Sequence, residues 1–232
     1  KTGQWWIENP QRALANNSVC YTEKPDMGIF MREWISLYES HSGERGIFNR
    51  EAVKKLMPER RDKDHEFGCN PCSEICLRSA ETCNLSEVVL RPSDTIDDVS
   101  RKIGLATILG TIQSALTDFR YVRPIWKKNA EEERLLGVSF TGVFDCPIVL
   151  NATPEQLDAW RGSAVYMNNI WAKKMDINPS AAITCIKPSG TVSQLTGVAG
   201  SGLHPAYAKY YIRRIRQDKK DPLNQALMDA GI

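Results

Sequence analysis

"CNLSEVVLRPSDTIDDVSRKIGLATILGTIQSALTDF", residues 83–119, is the stretch whose reading decides the fold class. Its first part is rich in branched apolar residues and stops at Pro92, the profile of a buried strand. "SDTIDD" then places acidic residues where the positive end of a helix dipole lies. The long helix that follows carries apolar residues on most faces, which predicts burial on several sides. The same alternation continues downstream. "RLLGVSFTGVFD" (134–145) reads as a glycine-bounded strand, "TPEQLDAWRGSAVYMNNIWAKKM" (153–175) as a second long helix, and "SAAITCIKPSGT" (180–191) as a strand running into a glycine loop. Strands alternating with long helices indicate an α/β architecture. Upstream, "DMGIFMREWISLYE" (26–39) has helical apolar spacing after Pro25 and Asp26. "GERGIFNREAVKKLM" (43–57) reads as a turn followed by a short helix from near Asn49, and "PERRDKDHE" (58–66) as a polar loop. With no repeat, low-complexity tract or linker, residues 1–232 are read as one domain.

The chain has 232 residues, 42% of them hydrophobic and 25% charged, enough to bury a core. Its formal charge of +2 comes without a long block of one sign, so charge suggests neither a nucleic-acid nor a membrane partner. No apolar run reaches the length of a membrane span, and "KTGQWWIENP" lacks the apolar core of a signal peptide, which predicts a soluble, cytoplasmic protein. The opening "GQWWIENPQ" and the closing helix-like "DPLNQALMDAGI" predict a fragment of something longer. Seven cysteines, four of them between 69 and 83, do not have the spacing of a secreted disulfide framework; reduced, chemically employed thiols fit better.

"GCNPCSEICL" (68–77) holds three of them and admits three readings. His65, Cys69, Cys72 and Cys76 have a spacing that a zinc ion or an iron-sulfur cluster could use, although a second C-x2-C pair is missing. Alternatively, the cysteines are small packing residues. The third reading follows from Pro71, which pushes Asn70 toward extended backbone. In an extended stretch Asn70, Cys72 and Glu74 share a face at intervals of roughly 7 Å, aligning an amide, a thiol and a carboxylate along one small polar substrate. A second site signal is "TCIKPSGTVSQL" (184–195), where an apolar strand ends and backbone amides and hydroxyls converge. A short helix starting after Gly190 would make this an anion site suited to a phosphate; an ordinary strand-to-helix turn reads equally well.

Taken together, these segments resemble the catalytic subunit of ribonucleotide reductase, most closely its adenosylcobalamin-dependent class. The carrying residues are "NPCSEI" (70–75), "CNLSEVV" (83–89), "LLGVSFTGVFD" (135–145), "KPSGTVSQL" (187–195) and "HPAYAKYYIRRIR" (204–216), with "WWIENPQRALANNSV" and "SGERGIFNR" in the same style. The resemblance implies an α/β fold that is part of a ten-stranded α/β barrel, with the active-site cysteine on a central finger loop. It implies that Cys72 becomes a thiyl radical and takes the 3'-hydrogen of a ribonucleotide, that Glu74 takes the 3'-hydroxyl proton, and that Asn70 holds the substrate's hydroxyls. By the same resemblance Cys83 is one member of the pair that supplies reducing equivalents, and Pro188, Ser189, Gly190, Thr191 and Val192 bind the substrate's phosphates. No metal ligand is implied. Adenosylcobalamin is the implied cofactor, a thioredoxin- or glutaredoxin-like protein the implied reductant, and DNA precursor synthesis the implied role. The family's early cysteine strand, which should carry the partner of Cys83, its allosteric region and its carboxy-terminal cysteine pair have no counterpart here. Cys20, the only cysteine before residue 69, does not fit that strand. The expectation is therefore a partial barrel, inactive by itself.

Overall fold

The computed structural model describes residues 5–10, 18–41, 46–198, 200–212 and 218–231. Parts of three stretches that carry the resemblance, 11–17, 42–45 and 213–216, lie outside these residues. After a single turn, α1 (Trp5–Glu8), the chain forms β1 (Val19–Tyr21), α2 (Met27–Ser40), β2 (Ile47–Asn49) and α3 (Arg50–Leu56). Local chemistry sets these boundaries. The Asp26 carboxylate accepts hydrogen bonds from the amides of Gly28 and Ile29 at the start of α2, which ends where His41 turns left-handed at φ 46°. Asn49 closes β2 and caps α3 by accepting from Ala52 N at 3.0 Å. β1 and β2 pair in parallel.

Next come β3 (Gly68–Cys69) and β4 (Cys76–Leu77), a short antiparallel pair, and then β5 (Leu85–Val89) and α4 (Ile96–Ser114). A reciprocal cap starts α4: Thr95 Oγ1 accepts from Asp98 N, and Asp98 accepts from Thr95 N. α5 (Pro124–Glu133) was not expected from the sequence. Its signals are weak, a proline in the first turn and the left-handed Arg134 (φ 46°) that ends it, and its body "IWKKNAEEE" has little apolar periodicity. β6 (Gly137–Thr141), a 3-10 turn at Val143–Asp145, α6 (Pro147–Leu150), α7 (Pro154–Lys174), α8 (Thr191–Leu195) and α9 (Pro222–Asp229) complete the order.

The expected strand-helix alternation holds at its centre. β5 and β6 pair in parallel, Leu85 opposite Gly137 through Val89 opposite Thr141, with α4 crossing between them. The third expected strand, in 180–191, is reduced to a bridge between Val138 and Thr184 with flanking hydrogen bonds Val138 N to Ile183 O and Cys185 N to Val138 O. The sheets are small and none closes on itself among the described residues. The ten-stranded barrel is therefore not seen here, since closure needs many more strands in register.

α4 and α7 pack together over this sheet. Val88, Leu90, Ile103, Val138, Trp160 and Ile183 form the centre of the core, each such side chain contributing about 1.5–3 kcal/mol when fully buried. Asn168, fully buried on α7, donates to Thr111 Oγ1 and Ser180 Oγ and accepts from Ser180 N, tying α7, α4 and the third strand segment together. Burial of α4 on several sides is corrected. Val99, Ile103, Ala106 and Gly110 face the core, whereas Leu105, Leu109 and Ile112 stand exposed, because sheet and α7 cover one side only. Among the described residues no helix is long and apolar enough to cross a membrane.

Candidate active site

Residues 70–75 form the turn between β3 and β4, not the extended row the spacing suggested. Ser73 N donates to Asn70 O at 2.9 Å, Ser73 takes φ 65°, and Ile75 N donates to the Asn70 side chain at 3.0 Å. Proline explains the correction: its fixed φ near −65° suits the second position of a tight turn as well as an extended strand, and here the hairpin's register selects the turn. The turn nevertheless brings two of the three groups into direct contact. Asn70 Nδ2 donates to Glu74 Oε1 at 2.7 Å, while Cys72 is exposed at the tip.

Lys187 connects this turn to the second segment. Its ammonium lies 2.9 Å from Glu74 Oε1 and 3.9 Å from Cys72 Sγ, and its backbone amide donates to Ser139 Oγ on β6. Partial burial works against the lysine's charge. The hydrogen bond and charge of Glu74, with Cys72 and Cys83 adding, outweigh it and hold the pKa above the ordinary lysine value. The Glu74 side chain is only 3% exposed, and its second oxygen, Oε2, is buried with no hydrogen-bond partner among the described residues. A buried acceptor in that condition favours a donor brought by a ligand. Glu74, Ile75 and Cys76 also border a cavity of about 520 Å³ that extends to Arg60, Arg161 and Thr184.

The phosphate-loop candidates are anchored from below and open above. Ser189 is buried; its hydroxyl donates to Glu87 Oε2 on β5 at 2.7 Å, and its carbonyl accepts from the hydroxyls of Ser193 and Ser201. Gly190, Thr191 and Val192 are exposed and open the single turn α8, and the first amides of such a turn have no partner within it. Pro188 is half-buried between Lys187 and Ser189.

Cys83 is exposed and borders a cavity of about 330 Å³ with Asn84 and Arg134. Its thiol is near enough to Lys187 and Cys185 to influence the titration of both. Cys185 belongs to the same neighbourhood. Burial, then the charge of Glu74, push its thiol up to about 12, with Lys187 opposing and Glu87 and Cys83 adding. Cys146 packs in the core, and Cys20 is exposed on β1. Lys187, Cys185 and Glu87 were missed as site residues. The available signal was a charged residue set into or directly after an otherwise apolar run, Glu87 in the middle of "LSEVV" and Lys187 after "TCI".

The metal reading finds no support. His65 Nε2 faces Arg78 at 3.2 Å and Asp62 at 3.4 Å, Cys69 Sγ points to Ser73 Oγ at 3.5 Å, and Cys72 lies beside Lys187. Among the described residues no three His, Cys, Asp or Glu side chains are placed to hold a metal ion, and all seven cysteines are free.

A buried ion cluster holds the hairpin from behind. Arg61 donates to Glu133 Oε2 at 2.7 and 3.0 Å, to Glu81 Oε2 at 3.0 Å and to the carbonyl of Cys76 at 2.8 Å, with its guanidinium over the Phe67 ring. Arg78 joins Glu81, Glu132 and the Asn129 carbonyl. Burial, then the hydrogen bond with Glu133, push Glu81 up to about 8. Glu133 is held low despite its burial by Glu81, Arg61 and Arg78.

No family model matches the chain. It is 30% identical to the adenosylcobalamin-dependent ribonucleoside-triphosphate reductase of Lactobacillus acidophilus, over 95% of this chain and 33% of that protein. The probable adenosylcobalamin-dependent ribonucleoside-triphosphate reductase of Dictyostelium discoideum is 32% identical over 96% of this chain and 30% of its own length. Among solved structures, that of a B12-dependent (class II) ribonucleotide reductase superposes with a TM-score of 0.68 at 25% identity, covering 98% of this chain and 36% of the other. The mixed α/β fold is thus similar to that of a class II enzyme, and the chain spans about a third of the length of the curated relatives it matches.

Proposed function

We propose, from the premise that this chain is a relative of the adenosylcobalamin-dependent ribonucleotide reductases, that it is the active-site segment of a cytoplasmic enzyme reducing ribonucleotides to 2'-deoxyribonucleotides for DNA precursor synthesis. The names of the relatives, ribonucleoside-triphosphate reductases, support a ribonucleoside triphosphate as the substrate class. The observation that carries the reading is the grouping at the β3–β4 turn: an exposed thiol, Cys72, on the same turn as a buried carboxylate, Glu74, that keeps one oxygen without a partner among the described residues.

In this reading the Cys72 thiyl takes the hydrogen atom from C3' of the ribose, leaving S–H and a carbon radical. Glu74 Oε2 accepts the 3'-hydroxyl proton while Oε1 stays held by Asn70 and Lys187. Asn70 orients that carboxylate and the substrate's hydroxyls. Cys83, with a partner cysteine outside this chain, gives the two electrons and protons with which the 2'-hydroxyl leaves as water, and a thioredoxin- or glutaredoxin-like protein restores the pair. The amides of Gly190, Thr191 and Val192, on the frame of Pro188 and Ser189, take the phosphates. Making the radical is the cofactor's chemistry. The side chains gathered here are small and polar, a set that fits a sugar phosphate and not a corrin ring. They are not the holders of adenosylcobalamin. The parallel β5–β6 ladder and the strand segment at Thr184 are in this reading an arc of the ten-stranded barrel, so that residues 1–232 are part of one catalytic domain that does not turn over by itself.

In the complete enzyme, Cys72→Ser is expected to abolish deoxynucleotide formation while leaving nucleotide binding within about twofold, since serine preserves the turn but cannot carry the radical. Turnover retained by that variant would sink the reading.

A further inference from the structure

We propose that Cys69 and Cys76 are a dithiol site, separate from the chemistry of Cys72, which a low-molecular-weight disulfide converts to a cross-strand disulfide at the base of the Cys72 turn. Strand register brings the two thiols together. Cys69 and Cys76 are direct partners in the antiparallel β3–β4 pair. Asn70 N donates to Ile75 O at 3.0 Å, which makes Asn70 and Ile75 a hydrogen-bonded pair and, by alternation along the ladder, makes Cys69 and Cys76 a non-hydrogen-bonded one. Such partners have Cα atoms about 4.5 Å apart and side chains on one face. Disulfides accept Cα separations of about 4.4–6.8 Å, so the bond needs side-chain rotation and no movement of the strands. Both thiols are half-buried, whereas Cys72 lies at the exposed tip beside Lys187.

Cys69 Sγ lies in an exposed contact with Ser73 Oγ, whereas Cys76 sits on the side of the hairpin held by buried Arg61 and burial raises its thiol, with Arg61 opposing and Cys69 adding; Cys69 is therefore placed as the first nucleophile and Cys76 as the resolving thiol. Cys69 loses its proton to solvent and its sulfur attacks one sulfur of the oxidant RSSR. The S–S bond breaks and RS⁻ leaves, to be protonated to RSH. Cys76, deprotonated in turn, attacks the Cys69 sulfur of the mixed disulfide, forming the Cys69–Cys76 bond and releasing a second RSH. Two electrons thus pass to the oxidant. The product encloses Asn70, Cys72 and Glu74 in a covalent loop and leaves the Cys72 thiol free. This site follows from the ladder alone and does not depend on Cys72 carrying a radical.

The test is to incubate the chain with oxidised glutathione, alkylate without reduction, and sequence tryptic peptide 64–78 by mass spectrometry. The expected product carries alkyl on Cys72 alone, with Cys69 and Cys76 joined, and reduction first gives three alkylated cysteines. Cys72→Ser should keep the cross-link. Cys69→Ser and Cys76→Ser should lose it completely and carry a glutathione adduct on the remaining member. A wild-type peptide with no cross-link, or one joining Cys72 to either neighbour, would overturn the proposal even if the serine variants failed to fold.

Discussion

Replacing Arg61 by methionine tests whether the buried ion cluster holds the β3–β4 hairpin that carries Cys72. The Arg61 side chain is 2% exposed, Glu81 1% and Glu133 5%. Methionine keeps most of the stem's volume but removes the donors to Glu133, Glu81 and the Cys76 carbonyl. Stranding a buried charge by deleting its partner costs about 3–5 kcal/mol. Arg78 remains 3.2 Å from Glu81 and 3.9 Å from Glu133, so the lower end, about 3 kcal/mol, is expected here. Against a total stability of about 5–15 kcal/mol that is a large shift of the urea midpoint, readable from tryptophan fluorescence. Adding Glu133→Gln removes the stranded charge, and the double variant should recover at least about 1 kcal/mol. Hydrogen exchange at Asn70 N, whose bond to Ile75 O closes the hairpin, should accelerate in the single variant. A loss below about 1 kcal/mol, or a double variant no more stable than the single, would refute the argument that charge pairing at Arg61 secures the turn.

Two further outcomes follow from the same geometry. Glu81 is pushed up to about 8 in the folded protein, above its ordinary 4.5. The folded state therefore holds a proton that the unfolded state releases. The associated stability is complete below about pH 4.5 and declines as pH rises toward about 8, by at most about 1.4 kcal/mol per unit. The urea midpoint should fall between about pH 5.5 and about pH 8.5, and Glu81→Gln should flatten that fall; an equal slope in the variant would contradict the assignment. Gly137 supplies the other case. A Cβ there would lie 2.5 Å from Leu85 Cδ2, 3.0 Å from Cys185 Sγ and 3.1 Å from Ile75 Cδ1, so Gly137→Ala is expected to cost about 1–3 kcal/mol in thermal or urea denaturation; an unchanged midpoint would show that the site has slack.

Elements with strong local signals were legible in the residues. α2, α4 and α7 begin at side-chain caps that the sequence displays, Asp26, Thr95 and Thr153, and β5 and β6 coincide with the branched apolar runs. α5 was not, because its body is polar, with Ile125 and Trp126 its only large apolar residues, and its start has no side-chain cap. The exposed side of α4 was equally hidden, since an apolar residue does not state whether a neighbour covers it. At the site the residues suggested one extended row of Asn70, Cys72 and Glu74, whereas the turn sets Asn70 against Glu74 and leaves Cys72 at the tip beside Lys187.

What the sequence determined by itself was the capped helices and the central strands, with Asn70, Cys72 and Glu74 as candidate groups between them, because capping, proline restriction and apolar runs act over a few neighbouring residues. The tertiary structure alone decided that Lys187, 113 positions from Glu74, closes the site, that Ser189 is pinned to Glu87 across 102 positions, and that Arg61 and Glu133 stand behind the hairpin. Those pairings depend on the parallel register of β5, β6 and the Thr184 segment. Register is set by how faces bury against α4 and α7, a property of packing between distant segments that no local pattern contains.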